Sequence, residues 1–264
     1  MRLMPALLLI TAACQPAQTA PAPARPDAAD AQPAGPAQLR FPAPDRPVAE
    51  VTGATWSDEN DRDRSGEAEE VFSMLKIGPG SRVADIGAGA GYYTVRLAKQ
   101  VGPTGKVIAN DIIPDHLARL RKRVQEQGFT NISIALGDPG NARLPPQSVD
   151  VALMVHMYHE IEDPFGLLWH LHDSLRPGGR VAVIDADRPT ARHGTPRLLL
   201  ECEMAAVGFT LVETRKLPAG NYLSIFAPGK RPAPENIHPC RLKGELRQPA
   251  PTAANAEPAS DENE

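Results

Sequence analysis

The run RVADIGAGAGYY at residues 82–93 is the feature that most constrains this chain. A short β-rich apolar stretch ends near an aspartate and enters three glycines spaced G-x-G-x-G, after which a helical pattern begins. Glycines so placed let the backbone turn tightly and approach a ligand closely. A dinucleotide fingerprint, G-x-G-x-x-G, would need its third glycine at position 92, which is Tyr92. A phosphate-binding P-loop needs Lys followed by Ser or Thr, and neither pair follows this loop. With no phosphate to hold, Asp85 beside the loop carries no penalty. It can attract a cationic ligand, such as a sulfonium bearing an amino group.

From here the chain alternates strand and helix signals. YYTVRLAKQV (92–101) carries a helical stripe of Tyr93, Leu97 and Val101, and KVIAN (106–110) is the next strand. Pro114 opens a second helix that Gly128 closes, and NISIAL (131–136) and VDVALMV (149–155) are strands three and four. A helix over 163–179 is expected, with Asp163 as its N-cap and Pro-Gly-Gly as its stop. RVAVID (180–185) is strand five, and a helix over 196–209 follows. TLVETRKL and NYLSIFA are joined by a hairpin-like PAGN, so the last two strands should be antiparallel neighbours. The expected class is α/β: a doubly wound, mostly parallel sheet with helices on both faces and a late antiparallel strand. Ligands of such sheets sit beyond the carboxyl ends of the strands. The loops after residues 86, 110, 136, 155 and 185 should therefore share one crevice.

Asp111 ends strand two, 26 residues after Asp85, where a carboxylate can accept hydrogen bonds from ribose hydroxyls. GDPG places Asp138 where it can meet an exocyclic amino group, and the fourth loop presents HMYHEIEDP. In VADIGAGAGYYTVRLA, KVIANDI, GDPGNARLPPQSVDVALMVHMYHEIEDP and LRPGGRVAVID, the chain resembles class I S-adenosylmethionine-dependent methyltransferases. The resemblance covers residues 56–227. It implies a Rossmann-like seven-stranded sheet and S-adenosyl-L-methionine as methyl donor. It also implies that Gly87, Gly89 and Gly91 face the methionine part of the cofactor, with Asp85 near its amino group. Asp111 would then bind the ribose, Ile112 pack on the adenine and Asp138 meet its amino group. Val155 and His156 would lie nearest the reactive methyl.

Methyl transfer from a sulfonium is an in-line displacement, so proximity and orientation can supply much of the rate. A base is needed only if the acceptor must lose a proton early. His156, Tyr158, His159 and Glu160 are candidates by location, and packing or capping after strand four is their competing role. H-x-x-H followed by Glu is not the H-E-x-x-H metal pattern and no third ligand cluster stands out, so no metal is expected. HLH (170–172) is expected on exposed helix surface. In the resembled family an N-terminal segment closes over the cofactor, which makes Trp56 and Arg64 lid candidates. No large insertion follows strand five, so the acceptor is unassigned beyond a small molecule.

The chain's ends read differently. MRLMPALLLITAAC has the charge, apolar and small-residue order of a secretory signal, and its small residues before Cys14 resemble a bacterial lipoprotein signal. Lipidation of Cys14 would anchor the protein to the cell-envelope membrane, facing the periplasm. Of the 28 prolines, 17 fall in the two ends, residues 1–47 and 228–264. The expected organisation is a signal peptide over 1–13, a disordered Pro/Ala-rich tether over 14–47, the methyltransferase-like domain over 48–227, and a disordered tail over 228–264. Cys202 and Cys240 could pair in an oxidising compartment, but Cys240 falls in the expected tail, so two unrelated thiols is the preferred reading. The net charge of −4 and the lack of a Lys/Arg block argue against a nucleic-acid partner. S-adenosylmethionine is made in the cytosol whereas the leader points outside. That tension motivates an alternative: an exported, membrane-tethered binding module that keeps the fold without turnover.

Overall fold

The computed structural model describes residues 39–51 and 59–241. The signal segment, Cys14, Trp56 and the end of the tail lie outside the described residues.

Two short helices, α1 (Glu59–Arg64) and α2 (Glu67–Met74), precede the sheet. Seven strands follow: β1 (Arg82–Ile86), β2 (Lys106–Asp111), β3 (Ile132–Leu136), β4 (Val149–Val155), β5 (Leu175–Ala186), β6 (Phe209–Lys216) and β7 (Asn221–Pro228). They form one sheet in the order β3-β2-β1-β4-β5-β7-β6. Strands β1 to β5 pair in parallel, and β7 runs antiparallel to both β5 and β6. The expected late antiparallel strand is therefore β7, inserted between β5 and β6 by the PAGN hairpin. The chain reverses direction across the sheet between β1 and β4, the switch point where such sheets bind ligands.

Four helices cover the two faces: α3 (Tyr92–Val101), α4 (Pro114–Glu126), α5 (Pro164–Ser174) and α6 (Arg197–Ala206). Successive strand residues point to opposite faces, so Val83 and Ala84 serve different cores. Ala84, Met154 and Val183 pack with Phe165 and Leu168 of α5 and with Leu200 of α6. Val83, Val107 and Leu153 pack with Val71 and Phe72 of α2 and with Leu97 of α3. Fully burying a leucine such as Leu97 or Leu168 contributes about 1.5–3 kcal/mol. This double burial fixes the strand register, and with it the position of every strand-end residue.

Asp163 caps α5 as expected, accepting the Gly166 N–H at 2.8 Å. The helix ends at Ser174, however, five residues short of the expected stop. Pro177 disfavours a helical Arg176, and Leu175 already pairs with Val149 before the chain bulges out and Arg180 pairs with Val151. His170 and His172 of α5 are half-buried rather than exposed. They bond to the carbonyls of Gly140 and Gly166, and of Val207, respectively.

The described parts of the ends are also more ordered than their composition implies. Phe41 stacks beside Trp169, and the Arg46 guanidinium bonds Glu203 at 2.9 Å with both side chains fully buried. Ala49 donates its N–H to the His159 carbonyl at 3.0 Å. Past β7, Arg231 lies over the Trp169 ring, Trp169 donates to the Pro232 carbonyl, and Ile237 is buried. Cys240 is disulfide-bonded to Cys202 of α6. Residues 39–47 and 228–240 thus pack on the domain instead of extending the tether and tail, and the two cysteines are partners. Proline-rich composition hid a few anchors, namely Phe41, Arg46, Ile237 and Cys240, that secure both segments.

Candidate functional site

All five strand-end loops border one cavity of ≈ 540 Å³. Its wall runs from Asp85 to Ala90 after β1, from Asn110 to Ile113 after β2, through Asp138 and Pro139 after β3, from Val155 to Met157 and from His159 to Glu162 after β4, and through Ala186, Arg188 and His193 after β5. The shared crevice expected from the strand order is present.

The glycine loop makes its floor. Gly87, Gly89 and Gly91 all hold positive φ, at 70°, 54° and 84°. Side chains would be excluded at Gly87, where a Cβ would press on Met157, and at Gly91, where it would press on Leu120. At Gly89 no atom lies within 4 Å of where a Cβ would be, so that position opens into free space at the cavity. Asp85 lies beneath the loop, buried, and accepts the Thr94 hydroxyl at 2.6 Å. Burial pushes its carboxyl up to about 6, against the Thr94 hydrogen bond and the Arg62 charge, which favour ionisation.

Asp111 caps the loop from the side. One oxygen accepts the Gly89 N–H at 2.8 Å and faces His116 Nδ1 at 3.3 Å, and the other accepts the Ile113 N–H at 2.9 Å. A carboxylate offers about four acceptor sites, so one hydroxyl fits as the structure stands and a second requires His116 to turn aside. Ile112, an exposed apolar side chain, lines the cavity mouth. Asp138 also borders it, with its carboxylate on the exposed Arg143 at 2.6 Å. Buried Asn110, which sequence patterning did not single out, ties the β3 loop by donating to the carbonyls of Ala135 and Ala142.

Helices α1 and α2 roof one side. Arg96 and Arg123 reach from α3 and α4 to Glu59, and Arg96 also binds Asp63, while the Tyr92 hydroxyl donates to Asp63 at 2.7 Å. Glu59, Arg62 and Val51 border the cavity. Arg64, a lid candidate, is exposed and is not among the cavity-lining residues.

The candidate catalytic residues divide. His156 borders the cavity beside Val155, with φ at 51° and Nε2 3.2 Å from Glu67 of α2. Burial alone would raise the Glu67 carboxyl, but His156, Arg62 and the Tyr93 hydroxyl outweigh it and hold it at about 2. His159 also borders the cavity, with Nδ1 3.0 Å from the buried Asp185. Tyr158 does not reach it. Its side chain is fully buried and its hydroxyl donates to Glu203 at 2.8 Å, with burial and the Glu203 charge raising it well above the usual phenol range. Tyr158 is a core residue held by a carboxylate, not a candidate base. Glu67, Asp185 and His193 are the site residues that the sequence reading left without a role. Asp185 carried the same signal as Asp85 and Asp111, an acidic residue at the end of a strand.

The fold and the loop-built cavity define a class. Residues 77–224 match the family described as a methyltransferase domain, and the chain belongs to that family. Over 116 residues it is 34% identical to an arsenite methyltransferase of Halobacterium salinarum, a stretch covering 43% of this chain and 29% of that protein. It is 29% identical over 128 residues to a demethylmenaquinone methyltransferase of Lactobacillus johnsonii, covering 48% of this chain and 52% of the relative. The matched stretch thus spans about half or less of these relatives. A SAM-dependent methyltransferase from Aquifex aeolicus shares the fold with a TM-score of 0.57 at 21% identity, covering 64% of this chain and 97% of that one.

Proposed function

We propose that the chain binds S-adenosyl-L-methionine in this cavity and transfers its methyl group to a small-molecule acceptor. One observation carries the reading: a left-handed glycine loop opens at Gly89 into a cavity between a buried Asp85 and the strand-end Asp111. The residues fit the cofactor. Asp85 offers a buried negative charge for its ammonium, Asp111 keeps acceptor capacity for a ribose hydroxyl, and Ile112 offers apolar surface for the adenine. When bound, the cofactor supplies an electrophilic methyl. The protein's contribution is to orient it and to exclude water from the path of displacement. His156, paired with Glu67, is placed to take a proton from an acceptor that must lose one.

The test is calorimetric titration of the full chain with S-adenosylhomocysteine across pH. Asp85 ionises at about 6 in the unbound fold, and an ammonium ligand needs the charged form. Affinity should be full above that pH and fall by about tenfold per unit below it. Asp85→Asn should bind more weakly and lose this dependence. For the unliganded fold the sign is opposite. A raised carboxyl stabilises the native state at low pH, and that contribution is lost as pH rises from about 4 through 6. Absence of binding at millimolar ligand would overturn the proposal.

We further propose that the mature protein is lipid-anchored at Cys14. Support comes from the leader pattern and from the Cys202–Cys240 bond, since disulfides persist in oxidising compartments. Metabolic labelling with a fatty-acid probe should mark the wild type and not Cys14→Ser; equal labelling of both would refute it.

A further inference from the structure

One end of the cavity carries a cluster that cofactor binding leaves unused. One potential ligand atom from each of His159, Glu160 and His193 lies within 4.8 Å of the other two. His159 and Glu160 come from the turn after β4, and His193 comes from the loop after β5, 33 residues further on. The third ligand absent from the sequence pattern is thus supplied by the fold.

The surroundings favour coordination. The Asp185 carboxylate, 3.0 Å from His159 Nδ1, also accepts the Thr195 hydroxyl at 2.7 Å and the Ala186 N–H at 2.8 Å. An ionised carboxylate only accepts, so it keeps the proton on Nδ1 and leaves the lone pair on Nε2. That nitrogen lies 3.9 Å from Glu160 Oε1. A carboxylate behind a histidine in this way is the usual support for a metal-bound imidazole. His193 Nδ1 is buried with no hydrogen-bond partner among the described residues. His193 also holds φ at 53°, and its carbonyl is gripped by the Arg188 guanidinium at 2.9 and 3.1 Å. A left-handed non-glycine backbone costs about 1–3 kcal/mol, and such strain clusters at functional sites.

We propose that His159, Glu160 and His193 form a site for a divalent first-row transition-metal ion that opens onto the cavity. Two imidazoles and one carboxylate suit zinc, iron or cobalt, and the charges of Glu160 and Asp185 balance the ion. Tetrahedral bonds of ~2.1 Å to one ion set ligand atoms roughly 3.4 Å apart, so binding draws the three side chains inward. Three protein ligands leave a position facing the cavity. There an ion would hold an anionic oxygen or sulfur of an acceptor, with Arg188 beside it; this use rests on the methyltransferase reading, whereas the ion site does not.

Metal-stripped full chain titrated with Co²⁺ should show saturable visible absorption at roughly one equivalent, of the intensity expected for nitrogen and oxygen ligands. His193→Ala and Glu160→Gln should each weaken uptake by at least tenfold, and Asp185→Asn by about 10–100-fold. Melting curves of each variant verify folding. No saturable uptake, or uptake that both His193→Ala and Glu160→Gln leave unchanged, overturns the site. S-adenosylhomocysteine binding measured on the same metal-free samples separates the two readings. S-adenosylhomocysteine binding without cobalt uptake removes the metal site alone, and cobalt uptake without it removes only the proposed use.

Discussion

Glu203→Ala should lower the unfolding free energy by about 3–5 kcal/mol, the usual cost of leaving one partner of a buried ion pair uncompensated. In a domain of this size that corresponds to a fall in Tm of roughly 6–20 °C. The Glu203 carboxylate has no solvent to fall back on. One oxygen takes the Arg46 guanidinium at 2.9 Å and the other takes the Tyr158 hydroxyl at 2.8 Å, all three side chains being buried. Removing it strands a cation and a hydroxyl at once. Arg46→Met paired with Glu203→Leu should recover the part of the loss that comes from the stranded cation, because two apolar groups need no partner, while the Tyr158 hydroxyl still lacks its acceptor. Differential scanning calorimetry of Arg46→Met, Glu203→Leu and the double variant checks this. Additive effects would mean that the pair is not coupled.

Gly89→Ala should weaken S-adenosylhomocysteine binding by roughly 10–100-fold, since overlap of this kind costs about 1–3 kcal/mol. Gly89 and Gly128 both hold positive φ, at 54° and 67°, and neither has an atom within 4 Å of an added Cβ. Gly89 borders the cavity, whereas Gly128 follows the C-terminus of α4 and does not. Gly128→Ala should therefore destabilise the protein by about 1 kcal/mol and leave affinity unchanged. Equal affinity losses in the two variants would attribute the effect to strain, and the ligand would not approach Gly89.

Much of this was legible in the chain because the relevant signals were local. Strand residues buried on both faces, Pro114 and Asp163 at helix starts, and an aspartate at or next to the end of β1 and β2 each act within a few residues. Parallel strands then place all those ends on one edge. What escaped was non-local. Tyr158 and His159 are neighbours in sequence, yet one turns into the core toward Glu203 and the other faces the cavity against Asp185. That division depends on partners 45 and 26 residues away. His193 stands in a loop whose short polar sequence gives no periodicity, so only the fold brings it to His159. The Cys202–Cys240 bond escaped for a related reason. Cys240 lies in a proline-rich stretch where average composition outweighed one buried isoleucine, Ile237, and its neighbours.

The clamp of residues 46–49 on the turn that carries His159 has a consequence for the timing of assembly. Arg46 bonds a residue 157 positions later and reaches the carbonyls of Tyr158 and His159 over more than 110. During synthesis this segment leaves the ribosome among the first described parts of the domain, more than 110 residues before Tyr158 and His159 and 157 residues before Glu203. Closing so large a loop costs entropy before any contact repays it. The β4 turn therefore reaches its final shape only after α6 has been made. The clamp thus joins the start of the domain to its last third.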